Sequence, residues 1–374
     1  MRISRSATLV LPLLVAAALV AACNAGGSQS PGLAPSSGLN GSGSHVAVPQ
    51  DQDHQPGSTF VGVKWAGNVH PDRHKSWMSP DAKDVRRLYF ASDDGTDDVY
   101  VFALPSMTLT GTLTGFHEPQ GECTDRHGNV YIANTSALEV LEYSRTGTLL
   151  NTYNDSYGYP VGCAVNPVNG DLAVTDKYST SFSAGQVLVY SSPSSSPTVL
   201  TNPAQYQYFF AGYDNAGDLW VDGLTYSSGG PFILSSCGAS SCSTINLSGG
   251  TIYFPGAVQW DRTRSEWVVF DQSCGDTPAA CSYPVSGTGV LGSPTTYLNY
   301  EGGPVCDLVQ AVIAANGKKY AAGGDYEFHG YGCSSTSGAP NSSFDRWAYS
   351  SGGTPTNYTT SYANVPSGAA VSTK

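Results

Sequence analysis

Short runs of apolar residues recur along the chain from Leu88 onward, and each run ends in a polar or small residue. The six runs are Leu88–Ser92, Val130–Asn134, Leu172–Asp176, Leu219–Gly223, Trp267–Asp271 and Lys319–Gly323. Their starts lie 42, 42, 47, 48 and 52 residues apart. A period of roughly 40–50 residues that contains only strand signals is typical of propeller blades. The pattern therefore predicts an all-β chain folded as a six-bladed β-propeller.

A turn and a small apolar strand precede most of these runs, as in Pro119–Gly121, Pro160–Gly162 and Pro255–Ala257. A hairpin rich in Asn, Asp and Gly then leads into the run. In such turns the Asn or Asp side chain accepts hydrogen bonds from the following backbone, and Gly adopts a positive φ. The side chains to which we assign this structural role are Asp125, Asn166, Asp214 and Asp261.

A third strand with alternating apolar residues follows the runs, as in Val99–Phe102, Leu138–Tyr143 and Val187–Tyr190. With the Pro-x-Gly strands, this order resembles the NHL-repeat and SMP-30-like six-bladed propellers over residues 88–374. The resemblance implies that the Pro-x-Gly strand is the innermost strand of each blade.

The C-terminal residues Pro366–Ser372 repeat the Pro-x-Gly strand, but no blade follows them. The run at Leu88 lacks a clear Pro-x-Gly strand before it. We therefore expect the last strand to take the inner position of the first blade. This arrangement closes the ring and removes sheet edges that would otherwise aggregate.

The first residues have the features of an export signal. Arg2 and Arg5 precede an uncharged apolar run, Ala7–Ala22, that is shorter than the roughly 20 residues of a spanning helix. The residues Val20–Cys23 resemble the bacterial lipobox, in which the Cys is lipidated. Residues 1–22 are therefore predicted to be a lipoprotein signal peptide, with Cys23 as the membrane anchor. The alternative is ordinary cleavage that leaves Cys23 as a thiol.

Three further segments complete the predicted organisation. Residues 23–57 are rich in Gly, Ser and Pro, which predicts a disordered tether after the lipidated Cys. Residues 58–87 are an N-terminal extension that we expect to pack over a blade or the channel, and residues 88–374 are the propeller. The expected location is the bacterial cell envelope, at the outer membrane or the cell surface.

Charge narrows the range of partners. The chain has 17 Lys and Arg against 29 Asp and Glu, a formal net charge of −12. Such an acidic chain with scattered cations is a poor partner for nucleic acid. We expect a monomer that contacts the membrane through its lipid.

Eight of the nine Cys remain once Cys23 is set aside, and an even number in an exported chain indicates disulfides. Cys237 and Cys242 bracket a short hairpin, and Cys274 and Cys281 bracket a loop. Cys123 and Cys163 are offset by one on consecutive inner strands, so their side chains can meet between blades. The last two cysteines, Cys306 and Cys333, would form the remaining pair.

In such propellers the loop that leads into the inner strand and the loop after the second strand share one end of the channel. Long loops on one face of a rigid scaffold are the usual place for binding. We expect a protein, peptide or glycan to bind there; the alternative is that these residues are solvated loop tips. The candidate residues are His117, Glu118, Asn134, Tyr159, Asp176, Asp222, Phe254, Asp271, Glu301 and His329.

The resemblance also implies an enzymatic alternative, because SMP-30-like lactonases hold one divalent metal at the channel mouth with carboxylates and an Asn from a Pro-Asn-Gly strand. The matching positions in this chain are Gln120, Val161, Gly256 and Ser367, and none is Asn. This difference argues against lactonase activity. Carboxylates of the candidate set, Glu118, Asp176, Asp271 and Glu301, can still supply the oxygen ligands that hard cations need.

One acidic run is a separate candidate for a Ca²⁺ site; the alternative is a hairpin tip kept soluble by its charge. Its members are Asp93, Asp94, Asp97 and Asp98. No other cofactor is expected. The sequence thus favours an envelope binding module, with a metal-dependent hydrolase or lyase and a non-catalytic structural protein as alternatives.

Overall fold

The computed structural model describes residues 75–226, 230–272, 274, 280–305, 307–314, 320–326 and 342–374. These residues form six small antiparallel sheets in a ring, which confirms the predicted six-bladed β-propeller. Helical structure is limited here to two short 3₁₀ helices, Pro80–Asp84 and Thr135–Ala137. Within these ranges no helix has the length and apolar character needed to span a bilayer.

The strands are numbered along the chain. The first twelve are β1 (Trp77–Met78), β2 (Arg87–Asp93), β3 (Asp98–Ala103), β4 (Thr108–Leu113), β5 (Pro119–Thr124), β6 (Val130–Asn134), β7 (Glu139–Tyr143), β8 (Leu149–Asn154), β9 (Gly158–Val165), β10 (Leu172–Ser179), β11 (Ala184–Tyr190) and β12 (Thr198–Leu200). The others are β13 (Gln207–Tyr213), β14 (Leu219–Leu224), β15 (Phe232–Cys237), β16 (Cys242–Ile245), β17 (Pro255–Asp261), β18 (Glu266–Asp271), β19 (Cys281–Val285), β20 (Thr295–Thr296), β21 (Leu308–Ala314), β22 (Tyr320–Asp325), β23 (Ser343–Ala348), β24 (Gly352–Thr359) and β25 (Ala370–Thr373).

Each blade from the second to the sixth uses four consecutive strands, ordered from the axis to the rim. The inner strands β5, β9, β13, β17 and β21 contact one another in that order, and β25 lies between β21 and β5. The strands that begin with the Pro-x-Gly pattern are therefore innermost, as expected from the sequence.

The first blade is completed by both ends of the described chain. The C-terminal β25 pairs with β2 in the register Phe90 to Ala370, which confirms the predicted ring closure. At the rim, β1 pairs with β4 as a fifth strand, with Trp77 opposite Thr112. The described part of the N-terminal extension therefore lies along the rim of this blade.

In the second to fifth blades, the hairpins between the first and second strands are Asx turns. The Asp125 carboxylate accepts hydrogen bonds from the backbone N–H groups of His127 and Asn129, both at 2.8 Å. The other side chains assigned to this role, Asn166, Asp214 and Asp261, likewise accept from the residues that follow them. The predicted structural role of these residues is confirmed.

Three disulfides are formed, and they are three of the pairs predicted from the sequence. Cys123–Cys163 joins the inner strands of the second and third blades, while Cys237–Cys242 and Cys274–Cys281 close short segments. The cysteines Cys23, Cys306 and Cys333 lie outside the described residues, so the fourth pair and the lipidation site stay predictions.

Candidate functional site

The name loop face is used here for the end of the ring at which the chain enters the inner strands. A lead-in loop precedes each inner strand, and the loop after the second strand of the same blade lies beside it. In the second blade, for example, Thr135 N donates to the carbonyl of Glu118 at 3.2 Å. The sequence candidates all belong to these two sets of loops or to the strand ends below them.

In the second and fifth blades, a buried polar side chain at the end of the second strand accepts hydrogen bonds from the backbone of the lead-in loop. Asp271 accepts hydrogen bonds from the N–H groups of Tyr253 and Phe254 at 3.0 and 2.9 Å. Asn134 accepts from His117 N at 2.6 Å, whereas Asp222 accepts from Phe210 N, within the inner strand β13, at 2.7 Å. These strand-end side chains are completely or almost completely buried. The structure therefore places Asn134, Asp222 and Asp271 beneath the loop face, where each one accepts backbone hydrogen bonds.

The third blade has a variant of this arrangement, in which two carboxyl groups face each other. Asp155 accepts from the N–H groups of Tyr157 and Gly158, and its carboxyl group bonds to that of Asp176. Burial, followed by the charge of Asp155, raises the pKa of Asp176 well above its usual range. Two adjacent carboxyl groups repel each other when both are ionised, which favours the protonated form of the pair. The two backbone hydrogen bonds to Asp155 hold the residues that lead into β9.

Two carboxylates of the acidic run in the first blade also accept hydrogen bonds from the backbone of loops. Asp93 accepts hydrogen bonds from the backbone of Thr96, Asn364 and Val365. Asp97 accepts from Glu118 N at 2.9 Å. Within the described ranges, no three His, Cys, Asp or Glu side chains come together in a way that could hold a metal ion. The carboxylates of Asp93 and Asp97 are thus directed to backbone donors on different loops.

Apolar side chains fill the loop-face end of the space between the inner strands. Val161, Phe209 and Val309 come from three different inner strands and form one buried cluster with Phe254 and Phe210. A buried cation lies beside this cluster: the Lys177 ammonium is 5.4 and 5.6 Å from the ring centres of Tyr178 and Phe209. Among the described residues, these packed side chains lie between the inner strands of the third, fourth and sixth blades.

The Gln310 side chain crosses the axis below the cluster. Its Oε1 accepts from Glu122 N at 2.9 Å and from Ala369 N at 2.8 Å, and its Nε2 donates to the carbonyl of Glu122 at 3.0 Å. Gln310 thereby links the sixth, first and second blades. A cavity of about 170 Å³ lies between the inner strands and reaches the hairpins at the far end, where Thr124 and Arg262 line it.

Exposed aromatic side chains occupy the loop face of the third, fourth and fifth blades. Tyr157, Tyr226 and Tyr253 are 38 %, 63 % and 48 % exposed. The sequence candidates next to two of them, Tyr159 and Phe254, are instead buried, and Tyr159 stacks on Phe182 at 5.2 Å. Neighbouring residues of an extended chain point to opposite sides. That alternation could have identified Tyr253, which is next to the buried Phe254. Tyr157 and Tyr159 are two residues apart and Tyr226 adjoins no candidate, so no such signal marks Tyr157 or Tyr226.

The remaining candidates have diverse surroundings. Ser136 Oγ donates to the buried Glu118 carboxylate, and the half-buried His117 bonds through its backbone to Ser136. Glu301 is exposed in the turn that Asn299 caps, and its backbone N–H donates to Asn299 Oδ1. His329 lies outside the described residues. Among the described residues, these candidates do not form a group of three side chains that could hold a metal ion.

Comparison with known proteins supports the fold and leaves the family open. No family model matches the chain, and no curated protein matches it in sequence. A protein of unknown function from Bacteroides caccae has a similar structure, with a TM-score of 0.54 and 12 % identity over 77 % of this chain and 100 % of its own. A functionally unknown protein from Desulfotomaculum acetoxidans DSM 771 reaches a TM-score of 0.51 and 9 % identity over 76 % of this chain and 99 % of its own. At such identities the likeness is one of fold alone, so membership of the NHL or SMP-30 group stays a prediction.

Proposed function

We propose that this chain is a lipid-anchored β-propeller of the bacterial cell envelope that binds a peptide, protein or glycan through its loop face. The observation that carries the proposal is the set of exposed tyrosines on the loop face, Tyr157, Tyr226 and Tyr253. A ligand would contact these rings on the surface of the face.

Tyrosine suits such a surface for physical reasons. Its ring offers a large apolar area with few rotatable bonds, and its hydroxyl adds a hydrogen-bonding group at the tip. Tyrosine is also enriched at protein interfaces and among the residues that dominate binding energy. Two of the three rings, those of Tyr157 and Tyr253, stand on loops whose backbone is bonded to Asp155 and Asp271, so little ordering of these loops would be required on binding.

The alternative of a metal-dependent hydrolase or lyase fits the residues less well. The positions that correspond to the metal-binding Asn of the SMP-30-like lactonases hold Gln120, Val161, Gly256 and Ser367. Asp271, one of the carboxylates considered for such a metal, already accepts two backbone hydrogen bonds. A metal would have to displace these bonds before it could bind there.

Thermal unfolding with and without metals distinguishes the two functions. We expect the melting temperature of the full chain to be the same in EDTA and in Ca²⁺, Mg²⁺, Mn²⁺ or Zn²⁺. A metal at about 100 times its dissociation constant would add roughly 2.7 kcal/mol of stability, which is a shift of a few degrees. A reproducible upward shift with one metal, together with turnover of lactones or esters, would favour the enzyme instead.

The binding function itself is tested by a screen. The labelled full chain, with Cys23→Ser to prevent lipidation, is applied to arrays of bacterial cell-wall oligosaccharides and synthetic peptides. We expect at least one ligand class to bind reproducibly. Failure to retain any ligand would favour the non-catalytic structural role.

A further inference from the structure

Cations gather at one corner of this acidic molecule. Lys83, Arg86, Arg126 and Lys374 are exposed, and Arg145 is half-buried among them. These five residues are called the basic corner. The described ranges contain six further Lys and Arg residues. They are Lys75, the buried Arg87, Lys177, Arg262, Arg264 and Arg346.

The contacts show that the basic corner is one continuous surface. The Arg145 guanidinium donates to the carbonyls of Lys83 and Val85 at 3.2 and 2.6 Å. Lys374 N donates to the carbonyl of Arg86 at 3.0 Å. The C-terminal strand also reaches the hairpin that carries Arg126, because Ser372 Oγ donates to the carbonyl of Gly128 at 2.6 Å.

Carboxylates do not neutralise this corner. Asp84 pairs with the ammonium of Lys374 at 3.3 Å, and Asp81 is exposed on the same 3₁₀ helix. Asp125 and Glu142 also lie near Arg126, and both accept hydrogen bonds from the Asn129 side chain, so the five cations face four carboxylates. Positive charge therefore exceeds negative charge here, in a chain whose formal net charge is −12.

Exposed apolar side chains flank the basic corner on the rim of the first two blades. Leu149 and Leu150 on β8 are 50 % and 44 % exposed, and Trp77 on β1 is 45 % exposed. The Met78 side chain packs against Gly147, in the hairpin that joins Arg145 to Leu149, so β1 and β8 are neighbours. Leu149, Leu150 and Trp77 are called the apolar rim.

We propose that the basic corner and the apolar rim form a surface that docks on a bilayer containing anionic lipids. Lys and Arg beside exposed Trp and Leu is the pattern of interfacial membrane contact, in which cations meet phosphate groups and apolar side chains enter the headgroup region. Residues 1–74 lead directly into this part of the chain, since Trp77 begins the first described strand.

The position of this surface fits the proposed function. Arg126 and Arg145 lie in hairpins at the end of the ring opposite the loop face. Docking there would leave Tyr157, Tyr226 and Tyr253 directed away from the membrane. The inference concerns a second surface and holds whether or not Cys23 is lipidated.

Vesicle co-sedimentation tests the proposal. The full chain with Cys23→Ser is mixed with vesicles of phosphatidylcholine alone or of equal parts phosphatidylcholine and phosphatidylglycerol. Each cation near an anionic surface contributes roughly fivefold to binding, the equivalent of about 1 kcal/mol. We therefore expect at least tenfold preference for the anionic vesicles at about 0.1 M salt, and its loss at about 1 M salt.

Matched variants locate the contact. Arg86→Glu/Arg126→Glu is expected to weaken binding to the anionic vesicles at least 25-fold, at roughly fivefold for each cation removed. Arg262→Glu is the control, because Arg262 is exposed in the corresponding hairpin of the fifth blade. It should weaken binding by less than about threefold, since Arg262 lies on the fifth blade and outside the basic corner. All variants share residues 1–74, so any contribution of that segment cancels in the comparison.

A second pair of variants tests the apolar rim. Leu149→Ser/Leu150→Ser is expected to weaken binding at least tenfold, because both side chains lose the apolar contact that they would make with the headgroup region. Val290→Ser is the control, since Val290 is 49 % exposed on the fifth blade. Melting temperatures show whether each variant is folded.

Three results would overturn the proposal. The first is equal binding, or no binding, to both kinds of vesicle. The second is an effect of Arg262→Glu as large as that of the Arg86 and Arg126 pair. The third is salt-sensitive binding that is unchanged by the Leu149 and Leu150 substitutions. This result would indicate that the basic corner binds a soluble polyanion. No loop-face ligand is used, so each of these results leaves the proposed function standing.

Discussion

Replacement of Gln310 by Ala is expected to lower the free energy of unfolding by roughly 3–5 kcal/mol. The substitution leaves three buried backbone groups without their partner: the N–H and carbonyl of Glu122 and the N–H of Ala369. Each buried polar group left unpaired costs about 1–3 kcal/mol, and water from the cavity below can recover part of that cost. Denaturant-induced unfolding measures the difference.

Two further substitutions separate the hydrogen bonds from the volume of the side chain. Gln310→Met keeps the volume and removes the bonds, so it should lose nearly as much stability as Gln310→Ala. Gln259→Ala removes a half-buried amide that bonds to Ala311 and Ile313 of the neighbouring blade. Its expected cost is smaller, about 1–2 kcal/mol, because two groups are affected and water reaches them. A wild-type unfolding curve for Gln310→Ala would show that this link does not stabilise the closed ring.

The protein is expected to become less stable as the pH rises from about 5 to about 9. Burial raises the pKa of Glu122 and of Asp307 to about 8, and that of Asp345 to about 7. A carboxyl with a raised pKa keeps its proton on folding. Its contribution to the free energy of unfolding is complete below the pKa of the group in the unfolded chain, near 4. That contribution is lost as the pH rises through the pKa of the group in the folded protein. The loss is expected to reach several kcal/mol.

Glu122→Gln is the variant that isolates one of these groups. The amide stays neutral and still accepts the hydrogen bond that Ser92 Oγ donates to Glu122. We expect the variant to match the wild type near pH 5 and to exceed it by roughly 2–4 kcal/mol near pH 8. Glu301→Gln, at an exposed carboxylate, should leave the curve unchanged. Parallel curves for Glu122→Gln and the wild type would show that this proton is not linked to folding.

The fold could be predicted because its signals are local and recur in every blade. The run that begins at Leu88 lacks an inner strand before it, and the segment that begins at Pro366 lacks a following blade. These two observations together predicted that the C-terminal strand completes the first blade. The short disulfide pairs Cys237–Cys242 and Cys274–Cys281 followed from spacing. Each of these sequence patterns is formed by a few neighbouring residues.

The candidate site could not be predicted in the same way, because its chemistry depends on where a distant loop passes. Asp271 has the sequence context of a residue at a channel mouth, yet its partners are Tyr253 and Phe254, 18 and 17 residues earlier. Nothing in the run Trp267–Asp271 reveals that contact. Gln310 likewise bonds to Glu122 across a separation of 188 residues. Because such partners are distant in the sequence, a residue that was expected to contact a ligand can instead be part of the structural framework.

The affinity of an array-selected ligand for the tyrosine variants tests the loop-face binding function most directly. We predict that Tyr157→Ala, Tyr226→Ala and Tyr253→Ala each weaken binding by about tenfold or more, as expected for aromatic residues at the centre of an interface. Tyr358→Ala should change it by less than about twofold, since Tyr358 is 45 % exposed on the outermost strand of the sixth blade. Equal affinities for all four variants, or a loss confined to Tyr358→Ala, would contradict a binding site on the loop face.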